Sequence, residues 1–280
     1  MKFGLFGINN GVCGDPAIMM AVSRQAESRG FESVWTGEHV VLPDPQVPPS
    51  PAPPLMDMVH PPVALAYIAG CTETLKLGTG IALLAQRNPV VLAKEMAGLD
   101  FVSRGRLIMG IGAGYLKAEF DALGIDFSAR GARSDECIDV MRELWTSDNP
   151  TFDGRFTRFS GIQSRPQPVS PGGPPIVVGG SSDAALRRAV TRCQGWYGFA
   201  LNEEQTKDCL DRLAAMAEKH PRPESLGPLE ISVSPRVRMN DDVLAAFEDM
   251  GVHRLILLQS GQTQDALLQF VDDTADAFIR

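Results

Sequence analysis

One histidine stands beside an acid at the end of an apolar run, in Val34-Trp35-Thr36-Gly37-Glu38-His39. An imidazole titrates near neutrality, so at such a position it can give or take a proton during redox chemistry. Only four histidines occur in the 280 residues. His60 lies in a proline-rich stretch, His220 at a helix end and His253 just before a strand-like run, and these three read as structural. His39 has two readings, a proton carrier or a residue that only hydrogen-bonds its own loop.

Glycines form the second set. Gly78 and Gly80 fall in Lys76-Leu77-Gly78-Thr79-Gly80-Ile81, and Gly110, Gly112 and Gly114 precede Tyr115. Glycine weakens a strand and is found there where a bulge forms or where another group approaches the backbone closely. The group is either a ligand or the packing of neighbouring strands. A third run, Val177-Val178-Gly179-Gly180-Ser181-Ser182-Asp183, ends a strand and opens a helix. Backbone N–H groups freed there can hold a phosphate, although Ser182 or Asp183 serving as a simple N-cap explains the same residues. Together with the basic pair Arg187-Arg188, these strand ends point to a phosphorylated planar cofactor.

Other chemistries find little support. No His-x-His or His-Glu-x-x-His spacing offers a metal site. The five cysteines, Cys13, Cys71, Cys137, Cys193 and Cys209, are scattered without a Cys-x-x-Cys pair, and Gly-x-Ser-x-Gly is missing. A net charge of −8 argues against a nucleic-acid binder. No run of about 18 apolar residues suggests a membrane span, and the N-terminus lacks signal-peptide features, so a cytoplasmic location is expected.

The elements that must position these residues repeat a strand-then-helix unit. Residues 2–8 form an apolar run, Asp15-Pro16 supplies an N-cap and first-turn proline, and Gly30 ends the helix. Strands follow over 33–36, 76–84, 106–111, 175–178, 195–199, 230–237 and 254–258. Helices are expected over 63–71, 90–103 and 132–145, and beginning near Asp183, Glu203, Asp241 and Thr263. With 44% hydrophobic and 21% charged residues the chain can fill a large core. Eight such units predict a (β/α)8 TIM barrel in a single domain over residues 1–280. The runner-up, an open doubly wound sheet, lacks its dinucleotide fingerprint, because tyrosine replaces the third glycine in Gly110-Ile111-Gly112-Ala113-Gly114-Tyr115. Two insertions are expected. Residues 43–62 hold nine of the 21 prolines after strand two, as a cover for the barrel mouth, a mobile loop or a dimer contact. Residues 146–174 contain Asp153-Gly154, a hairpin signal, before strand five.

At these residues the sequence resembles the luciferase-like monooxygenase superfamily, and within it the actinobacterial oxidoreductases that use the deazaflavin coenzyme F420. The resemblance covers nearly the whole chain. Its most specific part runs from Leu77-Gly78-Thr79-Gly80-Ile81 through Gln86-Arg87-Asn88-Pro89-Val90-Val91-Leu92-Ala93-Lys94-Glu95 to Ser103-Arg104-Gly105-Arg106 and Gly110-Ile111-Gly112-Ala113-Gly114. The resemblance implies a barrel of the luciferase-like type and a homodimer. It implies a strand-three bulge at Gly80-Ile81, often with a non-proline cis peptide, against the back of the cofactor ring. Leu83, Ala113 and Gly114 match cofactor-contacting positions, and Gly179, Gly180 and Ser181 the phosphate-side loop. Glu38 and His39 match an acid and a histidine over the redox ring in sugar-phosphate dehydrogenases, where the histidine is the base. Tyr115 stands where those enzymes carry a glutamate acid, and a phenol near pKa 10 is a poorer acid at pH 7, so sugar-phosphate oxidation is not expected.

The function expected from this resemblance is hydride transfer between coenzyme F420 and an organic small molecule, with His39 or Tyr115 handling the proton. An FMN-dependent monooxygenase is the alternative, and a non-catalytic cofactor-binding barrel a second. F420 carries a phosphate and a polyglutamate tail, which a chain at −8 repels at long range. Arg155, Arg158, Arg165, Arg187 and Arg188 are the cations expected to compensate.

Overall fold

The computed structural model describes residues 1–279. In chain order its elements are β1 (Lys2–Phe6), α1 (Pro16–Ser28), β2 (Ser33–Thr36), α2 (Pro61–Ala69), β3 (Lys76–Thr79), β4 (Ala82–Leu83) and α3 (Pro89–Val102). Then come β5 (Leu107–Gly112), α4 (Lys117–Ala122), α5 (Arg130–Thr146), β6 (Phe152–Asp153), β7 (Arg158–Phe159), β8 (Ile176–Gly179) and α6 (Asp183–Arg192). The last are β9 (Gly195–Leu201), α7 (Glu203–Lys219), β10 (Glu230–Pro235), α8 (Asp241–Asp249), β11 (Arg254–Leu258) and α9 (Gln264–Phe278). The ladder β3-β2-β1-β11-β10-β9-β8-β5 is parallel throughout, and β5 pairs back with β3, so the sheet closes into a TIM barrel of the luciferase-like type. Closure leaves the barrel without an edge strand.

Local chemistry accounts for most boundaries. Asp15 caps α1 through Ala17 and Ile18, Asn88 caps α3, and Asn202 with Gln205 forms a capping box at α7. The strands are apolar and buried because helices cover them outside and side chains fill them inside. Trp35, Ile108, Val177, Tyr197 and Ile256 form the barrel's own core. At the N-terminal end of the strands Arg254, 1% exposed, bonds both carboxylate oxygens of Glu32 at 2.8 Å and closes the barrel floor. No described helix is long and apolar enough to cross a membrane.

The third strand departs from the expected run over 76–84. It stops at Thr79, and Gly80 and Ile81 leave the ladder before Ala82 and Leu83 rejoin beside Ile111 and Gly112. The Gly80–Ile81 peptide is cis. Gly78 has no side chain because the Trp35 indole occupies the space, and Gly110 none because the Thr79 carbonyl does. For these two glycines, packing is therefore the explanation.

The 146–174 insertion contains the hairpin, with Asp153 opposite Arg158 and Glu136 of α5 accepting from the amides of Arg155 and Phe156. The proline-rich segment is pinned at its end. Asn9 exchanges hydrogen bonds with Val59, Asn10 bridges to Met58, and Pro61 and Pro62 start α2. Helix α4 was not expected from the sequence.

Candidate active site

A cavity of about 390 Å³ opens at the C-terminal mouth of the barrel. Phe6 ends β1, Gly37, Glu38 and His39 follow β2, Gly80 and Ile81 form the break between β3 and β4, and Leu83 ends β4. Gly114 and Tyr115 follow β5, Gly179 and Gly180 end β8, and Tyr197 and Phe199 come from β9. Pro51, Ala52, Met56 and Met58 of the proline-rich loop line it as well, so that loop does cover part of the mouth. Of the cofactor and catalytic residues expected from the sequence, Ala113 and Ser181 do not line the cavity, and the others do.

Glu38 is nearly closed off, with Oε2 accepting from the Leu83 amide at 3.1 Å and Oε1 bonded by the Arg87 guanidinium. It ties the end of β2 to β4. Arg87 also donates to His60 Nε2 at 2.8 Å, which anchors the far end of the proline-rich loop and agrees with a structural His60. His39 is held at its backbone, where its N–H donates to Met58 Sδ at 3.2 Å. Its Nδ1 lies 3.3 Å from Glu119 Oε1. The Tyr115 ring stands edge-on to the imidazole with centroids 6.1 Å apart. Burial, with the nearby Glu119 carboxylate, pushes the Tyr115 phenol above its ordinary pKa.

Part of the wall is backbone. Gly80 has no side chain, and Ile81 turns its own toward Gly112 and Gly179, where added Cβ atoms would crowd it. The peptide around Gly80 and Ile81 thus forms part of the cavity wall. Gly180, at φ +108°, turns the chain into α6 in a conformation that side-chain-bearing residues rarely adopt. Ser182 caps the helix through Ala185 at 3.3 Å, and the remaining first-turn amides have no intrahelical acceptor. These features fit a planar ring against the Gly80–Ile81 backbone and a phosphate at Gly179–Gly180.

The expected cations stand away from the cavity. Arg188 is buried in the α5–α6 contact and bonds Asp135 at 2.7 Å, and Arg158 pairs with Asp153 within the hairpin. None of Arg155, Arg158, Arg165, Arg187 and Arg188 lines the cavity, and neither does any other arginine or lysine among the described residues. The guanidiniums of Arg158 and Arg188 are each paired with a nearby carboxylate. Sequence reading also missed Phe6, Met56, Met58, Phe199, Arg87 and Glu119. The one signal for Glu119 was its spacing, four residues after Tyr115.

The luciferase-like monooxygenase family model matches residues 3–277. The uncharacterized protein Rv0940c of Mycobacterium tuberculosis is 30% identical over 256 residues, 87% of this chain and 85% of its own. An FMNH(2)-dependent dimethylsulfone monooxygenase of Pseudomonas putida is 34% identical over 145 residues, 50% of this chain and 39% of its own. Among solved structures, an F420-dependent secondary alcohol dehydrogenase in complex with an F420-acetone adduct superposes with a TM-score of 0.79 at 17% identity, covering 99% of this chain and 98% of its own. Monooxygenase RslO1 from Streptomyces bottropensis superposes with a TM-score of 0.78 at 22% identity, covering 100% and 99%. At such identities the two structures speak to the fold alone. The match of the family model over nearly the whole length is decisive: the chain belongs to the luciferase-like monooxygenase family.

Proposed function

We propose that this chain is an oxidoreductase that transfers a hydride between coenzyme F420 and a small organic substrate at the barrel mouth. The observation that carries the reading is His39, an imidazole lining a cavity walled mainly by apolar side chains and glycine backbone. A hydride that leaves or joins carbon beside an oxygen or nitrogen is accompanied by a proton, which needs a carrier inside the cavity. When bound, the deazaflavin supplies a two-electron hydride carrier. Gly80 and Ile81 would back its ring, Leu83 and Gly114 would flank it, and Gly179, Gly180 and the first turn of α6 would hold its phosphate. His39 takes or returns the proton. Tyr115, kept neutral, donates a hydrogen bond to the substrate heteroatom. Phe6, Phe199 and Met56 exclude water and favour an uncharged, mainly apolar substrate. A homodimer, formed through the apolar outer faces of α2 and α3, belongs to this proposal.

A second reading, an FMN-dependent monooxygenase, is favoured by the 34% identity to the dimethylsulfone enzyme over half of this chain. Thermal unfolding with each coenzyme separates the two. Ligand at about 100 times its dissociation constant adds roughly 2.7 kcal/mol and moves the midpoint by several degrees. A shift with F420 alone, and substrate turnover without oxygen uptake, is the expected result. A shift with FMN alone and oxygen uptake would replace it with the monooxygenase, and no shift with either would leave a barrel that binds neither.

A further inference from the structure

Glu119 belongs to α4, four residues beyond Tyr115, and its side chain is 1% exposed. A buried carboxylate is costly unless its oxygens are met by donors. Its Oε1 accepts from the Val40 amide at 2.8 Å and its Oε2 from Gln86 Nε2 at 3.3 Å. No arginine or lysine pairs with it among the described residues; the His39 ring is its ion-pair partner there, and the Tyr115 phenol lies near enough to feel its charge. His39 Nδ1 is closed to solvent and has no other acceptor within reach. At 3.3 Å the pair is in contact without an aligned hydrogen bond, a geometry common at sites that tighten around substrate. Each group lacks what the other offers.

We propose that Glu119 is the positioning residue of this site. It keeps the ring proton on Nδ1 of His39, so that the bare Nε2 is the nitrogen presented to the cavity. Gln86 holds the second carboxylate oxygen and fixes its direction. The inference rests on the reading of His39 as the proton carrier, in which a substrate O–H or N–H bond breaks, its proton goes to Nε2 and its electron pair stays on the heteroatom. A neutral imidazole with the wrong nitrogen protonated has no lone pair to offer there.

The test begins without cofactor. Nitrogen-15 spectra of histidine-labelled protein, with His39 assigned from the His39→Asn variant, should give the Nδ1–H tautomer for His39 in the wild type. In Glu119→Ala they should give the Nε2–H form or a mixture. A wild-type His39 protonated on Nε2, or a tautomer unchanged by Glu119→Ala, overturns the proposal. Kinetics supply the second arm. Glu119→Gln keeps the shape and removes the charge, and is expected to lower kcat by about 10²-fold while KM and coenzyme affinity stay within about threefold. In a His39→Asn background the same substitution should cost nothing further, whereas a role in general folding would add its full effect. If the tautomer is as stated but neither coenzyme supports turnover, the functional reading fails and the positioning of His39 stands.

Discussion

His39 lines the cavity and buries its Nδ1, so removing the ring should separate chemistry from binding. His39→Ala is expected to lower turnover by about 10²- to 10⁴-fold, the usual contribution of a positioned proton carrier. The coenzyme-induced shift in unfolding temperature should persist, because the Gly80–Ile81 backbone and the start of α6 are untouched. Unchanged turnover would remove His39 from the mechanism. Tyr115 has a different signature. Burial and the Glu119 charge both disfavour the phenolate, so the neutral phenol persists beyond its ordinary pKa near 10. A Tyr115→Phe variant should therefore run parallel to the wild type from pH 6 to 9, slower by one constant factor. Profiles that converge within that range would show the phenol titrating where it is expected not to. Glu38 and His39 were legible in sequence because they end one apolar run, and strand ends meet at the mouth. Glu119 was not. It lies 79 residues from Val40, whose amide it holds, on a six-residue helix too short to leave a periodic pattern.

Among the elements, the break between β3 and β4 does most to shape the site. Three glycines make room for it: Gly110 for the Thr79 carbonyl, and Gly112 and Gly179 for the Ile81 side chain. These obstacles differ in stiffness. An added methyl at Gly110 meets the Thr79 carbonyl, part of the backbone that cannot rotate aside. An added methyl at Gly112 meets the end of a side chain that can rotate. Gly110→Ala is thus expected to cost more than about 4 kcal/mol, the range where mutations disrupt a fold, and Gly112→Ala about 1–3 kcal/mol with weakened coenzyme affinity. Urea unfolding of both variants measures the difference, and equal costs would mean that Thr79 and Ile81 are displaced with similar ease. The strand-and-helix alternation was readable throughout because apolar period, N-caps and stop glycines agreed. The break was not, because Ile81, Ala82, Leu83 and Leu84 continue an apolar run that reads as more strand. The glycines signalled close approach without saying of what.

At the scale of the molecule, the ring of helices is uneven in chemistry. Helices α6, α7, α8 and α9 carry charged residues outward. Helix α2, Pro-Pro-Val-Ala-Leu-Ala-Tyr-Ile-Ala, has none at all. It packs beside α3, and together they leave Val63, Tyr67, Val91, Phe101 and Val102 exposed. A helix apolar on every side is normally buried on every side, and exposed apolar side chains gathered on two packed helices mark a place where another surface fits. A second copy satisfies this with the same patch on both partners about a two-fold axis. The net charge of −8 opposes association at long range, so the patch must supply the attraction. Light scattering coupled to size-exclusion chromatography should give a dimer at micromolar concentration, insensitive to added salt because its contact is apolar. Replacing Tyr67 and Phe101 by lysine should yield a folded monomer, since both side chains face outward and neither fills the barrel core. A wild-type chain that runs as a monomer, or a Tyr67→Lys, Phe101→Lys variant that stays dimeric, would place the interface elsewhere and leave the apolar faces of α2 and α3 without this explanation.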